Sequence, residues 1–433
     1  MKINALLDVN VVAHETEDEV AVLLELTAPP APVDAARRQA SFQVVLDRSG
    51  SMNGRPLEGA KKALVELVRR LEPTDNFGLV TFDHSADVVV PAGPLTDKDA
   101  VVNLIEAVHS GGSTDLSSGY MRGLREIRRV AGASGGTVLI ISDGHVNAGL
   151  QKVEDFQSLT AKAYGDGILT STLGYGRGYD ETLLAAIARS GSGNHVFAEN
   201  PDAAAAAIAA EADGLLNKVA QAVALTVKFE PSVQFLRLYN DLPGHQIGDG
   251  TVMIELGDLY SEEHRVLLLK FKVPAMSALG LAKIASLELA YVELPTLVEH
   301  VATIPISVNV VPGDAAAGRV PHPTVRTEML FQEAQQTKRK ASEAFEMGDR
   351  ATAKQNLGQT RQFLTDALTI AKDGARANIE AELSEVDRMD AMADAVETTV
   401  MSKLTRESYH LGTAKRGRDF PPSSFKGEAD KTE

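Results

Sequence analysis

FQVVLD (Phe42–Asp47) is an unbroken apolar run that ends in a carboxylate, and RSGSMNG (Arg48–Gly54) follows it as a polar, glycine-bearing loop. An apolar run without alternation is the mark of a strand buried on both faces, as in a parallel sheet. After the loop, Leu57, Ala60, Leu64, Leu67, Val68 and Leu71 recur at helical spacing from Pro56 to Leu71. The unit is therefore strand, loop, helix, and the loop lies at the strand's carboxyl end, where open α/β sheets bind their ligands. Asp47, Ser49 and Ser51 stand in it as D-x-S-x-S. Alternate residues of an extended loop point the same way, so one carboxylate and two hydroxyls can converge. All are hard oxygen donors, suited to Mg²⁺, Mn²⁺ or Ca²⁺ and poorly to Zn²⁺.

The alternation of short apolar runs and helical periods continues to about Asn217. Thr137–Ile141, Ile168–Leu173 and His195–Ala198 read as strands, and Val153–Ala163 and Thr182–Ala188 as helices. Phe77–Phe82 and Val88–Val90 flank Asp83–Ala86 as an antiparallel edge hairpin, and an Ala-rich helix from Pro201 closes the unit. This predicts an α/β fold, a Rossmann-like, doubly wound and mostly parallel sheet with helices on both faces. Two more loops bear oxygen donors. In HSGGSTDLSSG (109–119), Gly111–Gly112 precede Ser113, Thr114 and Asp115 at a helix start. In LIISDGHVNAG (139–149), Asp143 follows the strand Thr137–Ile141.

Taken together, these segments resemble the von Willebrand factor type A (VWA), or integrin I-type, family over about residues 41–217. DRSGSM matches the family's metal loop as Asp47, Ser49 and Ser51, GGSTDL the loop that gives its threonine (here Thr114), and SDG the loop that gives its second aspartate (here Asp143). LGYGRGYDETLLAAIARSGSGNHVFAEN (173–200) looks like the last third of bacterial VWA domains. The match departs at Ser113, which leaves open which of the two adjacent hydroxyls meets the metal. The resemblance implies a metal-ion-dependent adhesion site whose metal ligands are Asp47, Ser49, Ser51, Thr114 and Asp143. Mg²⁺ suits five such donors completed by water or ligand, with Mn²⁺ and Ca²⁺ as alternatives. The open position would take a Glu or Asp carboxylate of a protein partner, often with a shift of the last helix, here Pro201–Leu216. Arg48, Asp115 and His145 border these loops and are expected at the partner-binding rim. Asp115 reads rather as the cap of its helix or an acceptor behind the ligands, and His145 rather as a bystander of its loop.

Outside this unit, residues 1–29 read as two strands (Asn4–Val12 and Val20–Leu26) and 222–311 as six short strands at β-sandwich spacing. They predict an accessory antiparallel β-sandwich of 1–35 plus 222–312, with the metal domain (36–217) inserted into it. A C-terminal helical domain (320–410) should hold helices Val325–Met347, Asp349–Lys372 and Ala375–Leu404, and a disordered tail should follow from 411 to 433.

A net charge of −16 argues against binding a phosphate backbone, and the absence of Trp argues against stacking on bases, so no nucleic-acid partner is expected. The Lys338–Arg339–Lys340 run reads as a solvated helix face. With no cysteine, thiolate metal sites and Cys catalysis are out. No apolar run of about 18 residues predicts a membrane span, and the N-terminus lacks a secretory pattern, so a cytoplasmic location is expected. Gly174–Gly176–Gly178 lacks the spacing of a dinucleotide loop. No nucleophile elbow or Walker loop is present either. A cation-dependent protein-interaction module, not an enzyme, is the expected function. The alternatives are a Mg²⁺-dependent hydrolase or phosphotransferase, and a regulatory subunit of an AAA+ ATPase complex, a role some bacterial relatives of the family play. Self-association, with a tail carboxylate capping a neighbour's metal, is a further expected partner mode.

Overall fold

The computed structural model describes residues 1–31, 39–132, 135–142, 146–175, 180–198, 204, 208, 217–240, 242–294 and 296–413. The chain divides into two compact units, one built around Ala31–Lys218 and a discontinuous one built from Met1–Pro30 and Val219–Phe420. It opens with strands β1 (Lys2–Leu7), β2 (Val11–Ala13) and β3 (Asp18–Thr27).

In the Ala31–Lys218 unit, β4 (Ser41–Asp47) is hydrogen-bonded in parallel to β5 (Asn76–Phe82) on one side and to β7 (Gly136–Ser142) on the other. β6 (Ala86–Pro94) lies antiparallel to β5 at one edge, and β8 (Ile168–Tyr175) and β9 (Ser192–Ala198) extend the sheet in parallel at the other. The strand order is β6-β5-β4-β7-β8-β9. β4, β5, β7 and β8 are buried at every residue, which explains their lack of alternation.

Successive residues of β4 enter two separate cores. Phe42, Val44 and Leu46 pack with Leu57, Leu64 and Leu67 of α1 (Arg55–Arg70) and with Val102 and Ile105 of α2 (Lys98–Glu106). Val45 packs with Tyr120, Leu124 and Ile127 of α3 (Leu116–Arg128) and with Phe156 of α4 (Val153–Gly165). α5 (Glu181–Ser190) adds Leu183, Leu184 and Ile187 to this second core. Each such side chain contributes about 1.5–3 kcal/mol by leaving water. The fold is the doubly wound α/β sheet that the alternation predicts, with β6 as its antiparallel edge. Of the expected last helix, Pro201–Leu216, only Ala204 and Ile208 are among the described residues, and both are buried in the first core. The chain leaves β4 toward β5 and later returns to its other side as β7. The carboxyl end of β4 is therefore a topological switch point.

The discontinuous unit contains two sheets. β3 lies between β1 and β14 (His264–Val273), antiparallel to both, with β11 (Gln234–Leu238) beyond β14. A six-stranded sheet runs β12-β13-β10-β15-β16-β2, formed by β10 (Lys218–Phe229), β12 (Gly244–Gly248), β13 (Thr251–Tyr260), β15 (Gly280–Glu293), β16 (Glu299–Val311) and β2. The segment read as a single strand from Asn4 to Val12 is two strands, β1 and β2. The break falls at Asp8, whose carboxylate accepts the amides of Val9 and Ala21. β12, GHQIG, carries no apolar alternation and is fully exposed, so only its ladder to β13 reveals it.

Five helices follow among the described residues: α6 (Gly313–Ala317), α7 (Pro323–Glu346), α8 (Arg350–Ile370), α9 (Asp373–Met392) and α10 (Thr398–Thr413). The α7–α8 turn has Gly348 at φ +77° and Asp349 capping α8 by accepting the Thr352 amide. The single helix expected over Ala375–Leu404 is two, α9 and α10. The Arg350 guanidinium donates to the carbonyls of Ala393 and Val396 and so satisfies the end of α9. Most of the expected disordered tail, 414–433, lies outside the described residues. Among them, no helix is long and apolar enough to cross a membrane.

A candidate cation site at the carboxyl end of β4

Asp47 ends β4 and is fully buried. Its Oδ1 accepts the Ser49 amide at 2.8 Å, and its Oδ2 accepts the Ser142 hydroxyl at 2.6 Å. Ser49 Oγ and Ser51 Oγ lie 3.1 Å apart across the short turn Gly50–Met52. Burial pushes the Asp47 carboxyl above the ordinary aspartate range, against the pull of the Ser142 and Ser49 hydrogen bonds, and the nearby Asp83 carboxylate adds to the rise. The adjacent cation, Arg48, is engaged elsewhere: its guanidinium donates to Asp87 at 2.6 Å and lies 3.3 Å from Asp83. A buried carboxylate met by neutral donors, beside two converging hydroxyls, is short of positive charge, and a hard divalent cation would supply it.

The second loop is tied to the first by its backbone. The Gly111 amide donates to the Arg48 carbonyl (2.6 Å) and the Gly50 amide to the Gly112 carbonyl (3.0 Å). Thr114 is buried, with its amide donating to Asn147 Oδ1 at 2.8 Å. The amides of Asn147 and Ala148 both return to the Thr114 carbonyl at 3.2 Å. The segment after β7 is thus docked on the Thr114 loop.

Asp115 is turned to its helix. Its Oδ1 accepts the Ser118 amide and the Ser117 hydroxyl, capping α3. Asp143 and His145 lie outside the described residues; Ser142 and Val146 are the nearest described neighbours. The structure thus groups Asp47, Ser49, Ser51 and Ser142 directly and joins the Thr114 loop to them by backbone bonds.

Three contributors are absent from the sequence reading of the ligand set. Ser142 is the polar last residue of an apolar strand, a signal visible beside Asp143. Asn147 reads only as an exposed loop residue. Asp83 reads as a hairpin turn residue, yet its side chain is 3% exposed. Burial pushes the Asp83 carboxyl up, but the Ser85 and Gly112 amides, with Arg48 and His84, hold it below the usual range. Among the described residues, no group of three or more His, Cys, Asp or Glu side chains is placed to hold a metal ion.

Residues 43–210 match the von Willebrand factor type A domain model. The chain is 30% identical over 237 residues to the Synechocystis sp. protein sll0103, covering 52% of this chain and 55% of that one. It is 28% identical over 234 residues to the human inter-alpha-trypsin inhibitor heavy chain H3, covering 51% and 25%. The chain thus spans between a quarter and about half the length of these curated relatives. A von Willebrand factor type A structure from Catenulispora acidiphila superposes with a TM-score of 0.75 at 15% identity, covering 95% of this chain and 96% of that one. The ArnB paralog VWA2 from Sulfolobus acidocaldarius gives 0.63 at 14%, covering 95% and 98%. At those identities the likeness is one of fold, and it extends over both units. With the doubly wound sheet and the family match agreeing over the same residues, this chain contains a von Willebrand factor type A domain.

Proposed function

We propose that the protein binds a divalent cation with Asp47, Ser49, Ser51, Thr114 and Asp143, and uses it to hold a Glu or Asp carboxylate of a protein partner. VWA domains are in general metal-dependent protein-interaction modules. The observation that carries the reading for this chain is the Asp47 carboxylate, buried at a switch point and met by hydroxyls and an amide while Arg48 pairs elsewhere. Mg²⁺ fits the octahedral demand of such donors, and Mn²⁺ can replace it as a probe. When bound, the cation supplies the unneutralised charge that an incoming carboxylate completes. The chain's own residues do the rest. Asp47 anchors the loop through the Ser49 amide, Ser142 fixes the Asp47 carboxylate, and the Gly50–Gly112 and Gly111–Arg48 bonds hold the Thr114 loop alongside.

This is recognition and not turnover. The Ser49 and Ser51 hydroxyls face each other, which suits two metal donors better than a nucleophile with its base. Affinity capture from an extract of the source cells, in Mg²⁺, in EDTA and with Asp47→Ala, tests the reading. A partner retained by the wild type in Mg²⁺ and lost in both controls is expected. The same proteins captured in all three would overturn it, and so would metal-dependent turnover of phosphate or ester substrates by the pure protein.

A further inference from the structure

We propose that Asp83 is a positioning residue of the cation site: a buried carboxylate that, through Arg48 and Gly112, locks the Thr114 loop onto the Asp47–Ser51 loop. The inference rests on the cation-site reading above and adds to it a residue outside the expected ligand set.

Asp83 follows β5, next to β4 in the sheet, so its backbone is delivered to the same edge as Asp47. Its own turn fixes it. The Asp83 amide donates to the Ser85 carbonyl, and the Ser85 amide donates back to Asp83 Oδ1, both at about 3.0–3.1 Å. From there Oδ2 faces both loops, 3.3 Å from the Arg48 guanidinium and accepting the Gly112 amide at 3.4 Å. The Asp83 carbonyl accepts the amide of Asp115, the residue after Thr114, at 2.7 Å. Arg48 in turn stands between the expected ligands Asp47 and Ser49, and its backbone bonds to Phe82 and Gly111. One residue thus reaches the metal loop by a charge pair and the threonine loop by two hydrogen bonds.

Gly111 records how closely the carboxylate fills this space. A Cβ built there would lie 2.1 Å from Asp83 Oδ2 and 3.2 Å from its Cγ. Gly111 carries no positive φ, so an alanine would be excluded by the Asp83 side chain and not by its own backbone. Removing that side chain would make room. The two positions should therefore be coupled, and the coupling is measurable without metal. Asp87, which shares Arg48 but is 57% exposed, is the natural control.

The test is a Mn²⁺ titration of the full-length protein, with free Mn²⁺ read by electron paramagnetic resonance, beside melting curves in EDTA. The chains are wild type, Asp47→Ala, Asp83→Ala, Asp83→Asn, Gly111→Ala, Asp87→Ala and the Asp83→Ala/Gly111→Ala double variant. Asp83→Ala and Gly111→Ala are each expected to weaken Mn²⁺ binding by about tenfold, the usual scale for a residue that orients ligands. Asp83→Asn, which keeps an acceptor for Gly112 but loses the charge for Arg48, should fall between, and Asp87→Ala should lower the affinity less than Asp83→Ala. In the double variant both the affinity and the EDTA melting temperature should match Asp83→Ala alone. If Asp83→Ala fails to fold, Asp83→Asn and Gly111→Ala carry the comparison. A wild type that binds Mn²⁺ while the Asp83 and Gly111 variants bind it equally well overturns this inference and leaves the cation site standing. Strictly additive effects of Asp83→Ala and Gly111→Ala would likewise overturn it. A wild type that binds no Mn²⁺ overturns both.

Discussion

Asp47 combines a fold cost with its proposed role. Its carboxyl is raised by burial, so without a cation the folded chain holds that proton more tightly than the unfolded chain does. The sign follows. Stability is reduced above the folded value, and the reduction disappears as the pH falls from that value toward the ordinary aspartate range. Cation binding runs the other way, since the proton competes with the metal. We predict that Mn²⁺ affinity declines on acidification from a higher pH than an ordinary Asp would allow, checked by titrations across the acid range. We also predict that Asp47→Asn abolishes binding yet melts higher than wild type in EDTA at pH 7, each kcal/mol gained reading as about 2–4 °C. A lower melting temperature for Asp47→Asn would show that the carboxylate stabilises the apo fold. Ser142→Ala removes the hydroxyl from Asp47 Oδ2 and should weaken Mn²⁺ binding by about tenfold. At this scale the sequence is informative where neighbours are local: Asp47, Ser49 and Ser51 stand in one loop. Asp83 meets them only because β5 pairs with β4, and no spacing along the chain announces that.

Among the elements, the docking of the segment after β7 onto the α3 cap turns on Gly149. It sits at φ +70°, and a Cβ there would lie 2.0 Å from Asp115 Oδ1. Gly149→Ala should cost about 1–3 kcal/mol and raise hydrogen exchange at the first amides of α3, where Ser118 bonds to Asp115. In the helical part, Lys338 of α7 is wholly buried, in contact with Glu382 of α9 and Ser408 of α10. Burial pushes its ammonium down to about 7, while Glu385 pulls it up. A lysine whose folded value lies below its unfolded one loses stability where it must carry its charge. α7 should therefore be least protected below about pH 7 and gain protection as the pH rises above it, and Lys338→Met should flatten that dependence in hydrogen exchange. This residue reads in the sequence as part of a solvated basic run, because a three-residue run does not show which side of its helix is packed. The split of α9 from α10 was hidden for a similar reason: Arg350, far back in the chain, caps the break.

At the scale of the whole molecule, the regular strand–helix alternation from Phe42 onward makes the doubly wound sheet readable, since each element's period is set by how many of its faces are buried. The three-stranded start of the chain is less readable, because its break depends on an Asp8 side chain satisfying the Ala21 amide in another strand. β3 draws residues Val20 to Leu24 and Leu26 entirely into the core, between β1 and β14. We predict that a chain lacking residues 1–30 loses solubility, whereas Ala31–Lys218, with its own two cores, folds alone and retains Mn²⁺ binding. A soluble, cooperatively melting truncation would contradict the first expectation, and a molten Ala31–Lys218 fragment the second. The most direct test of the cation site itself is an anomalous difference map from crystals of the full chain grown with Mn²⁺. One peak is expected at the carboxyl end of β4, within about 2.0–2.3 Å of the Ser49 and Ser51 hydroxyls and with water or a carboxylate on its open side. A map with no peak at that loop, or with Mn²⁺ held only by other residues, would contradict it.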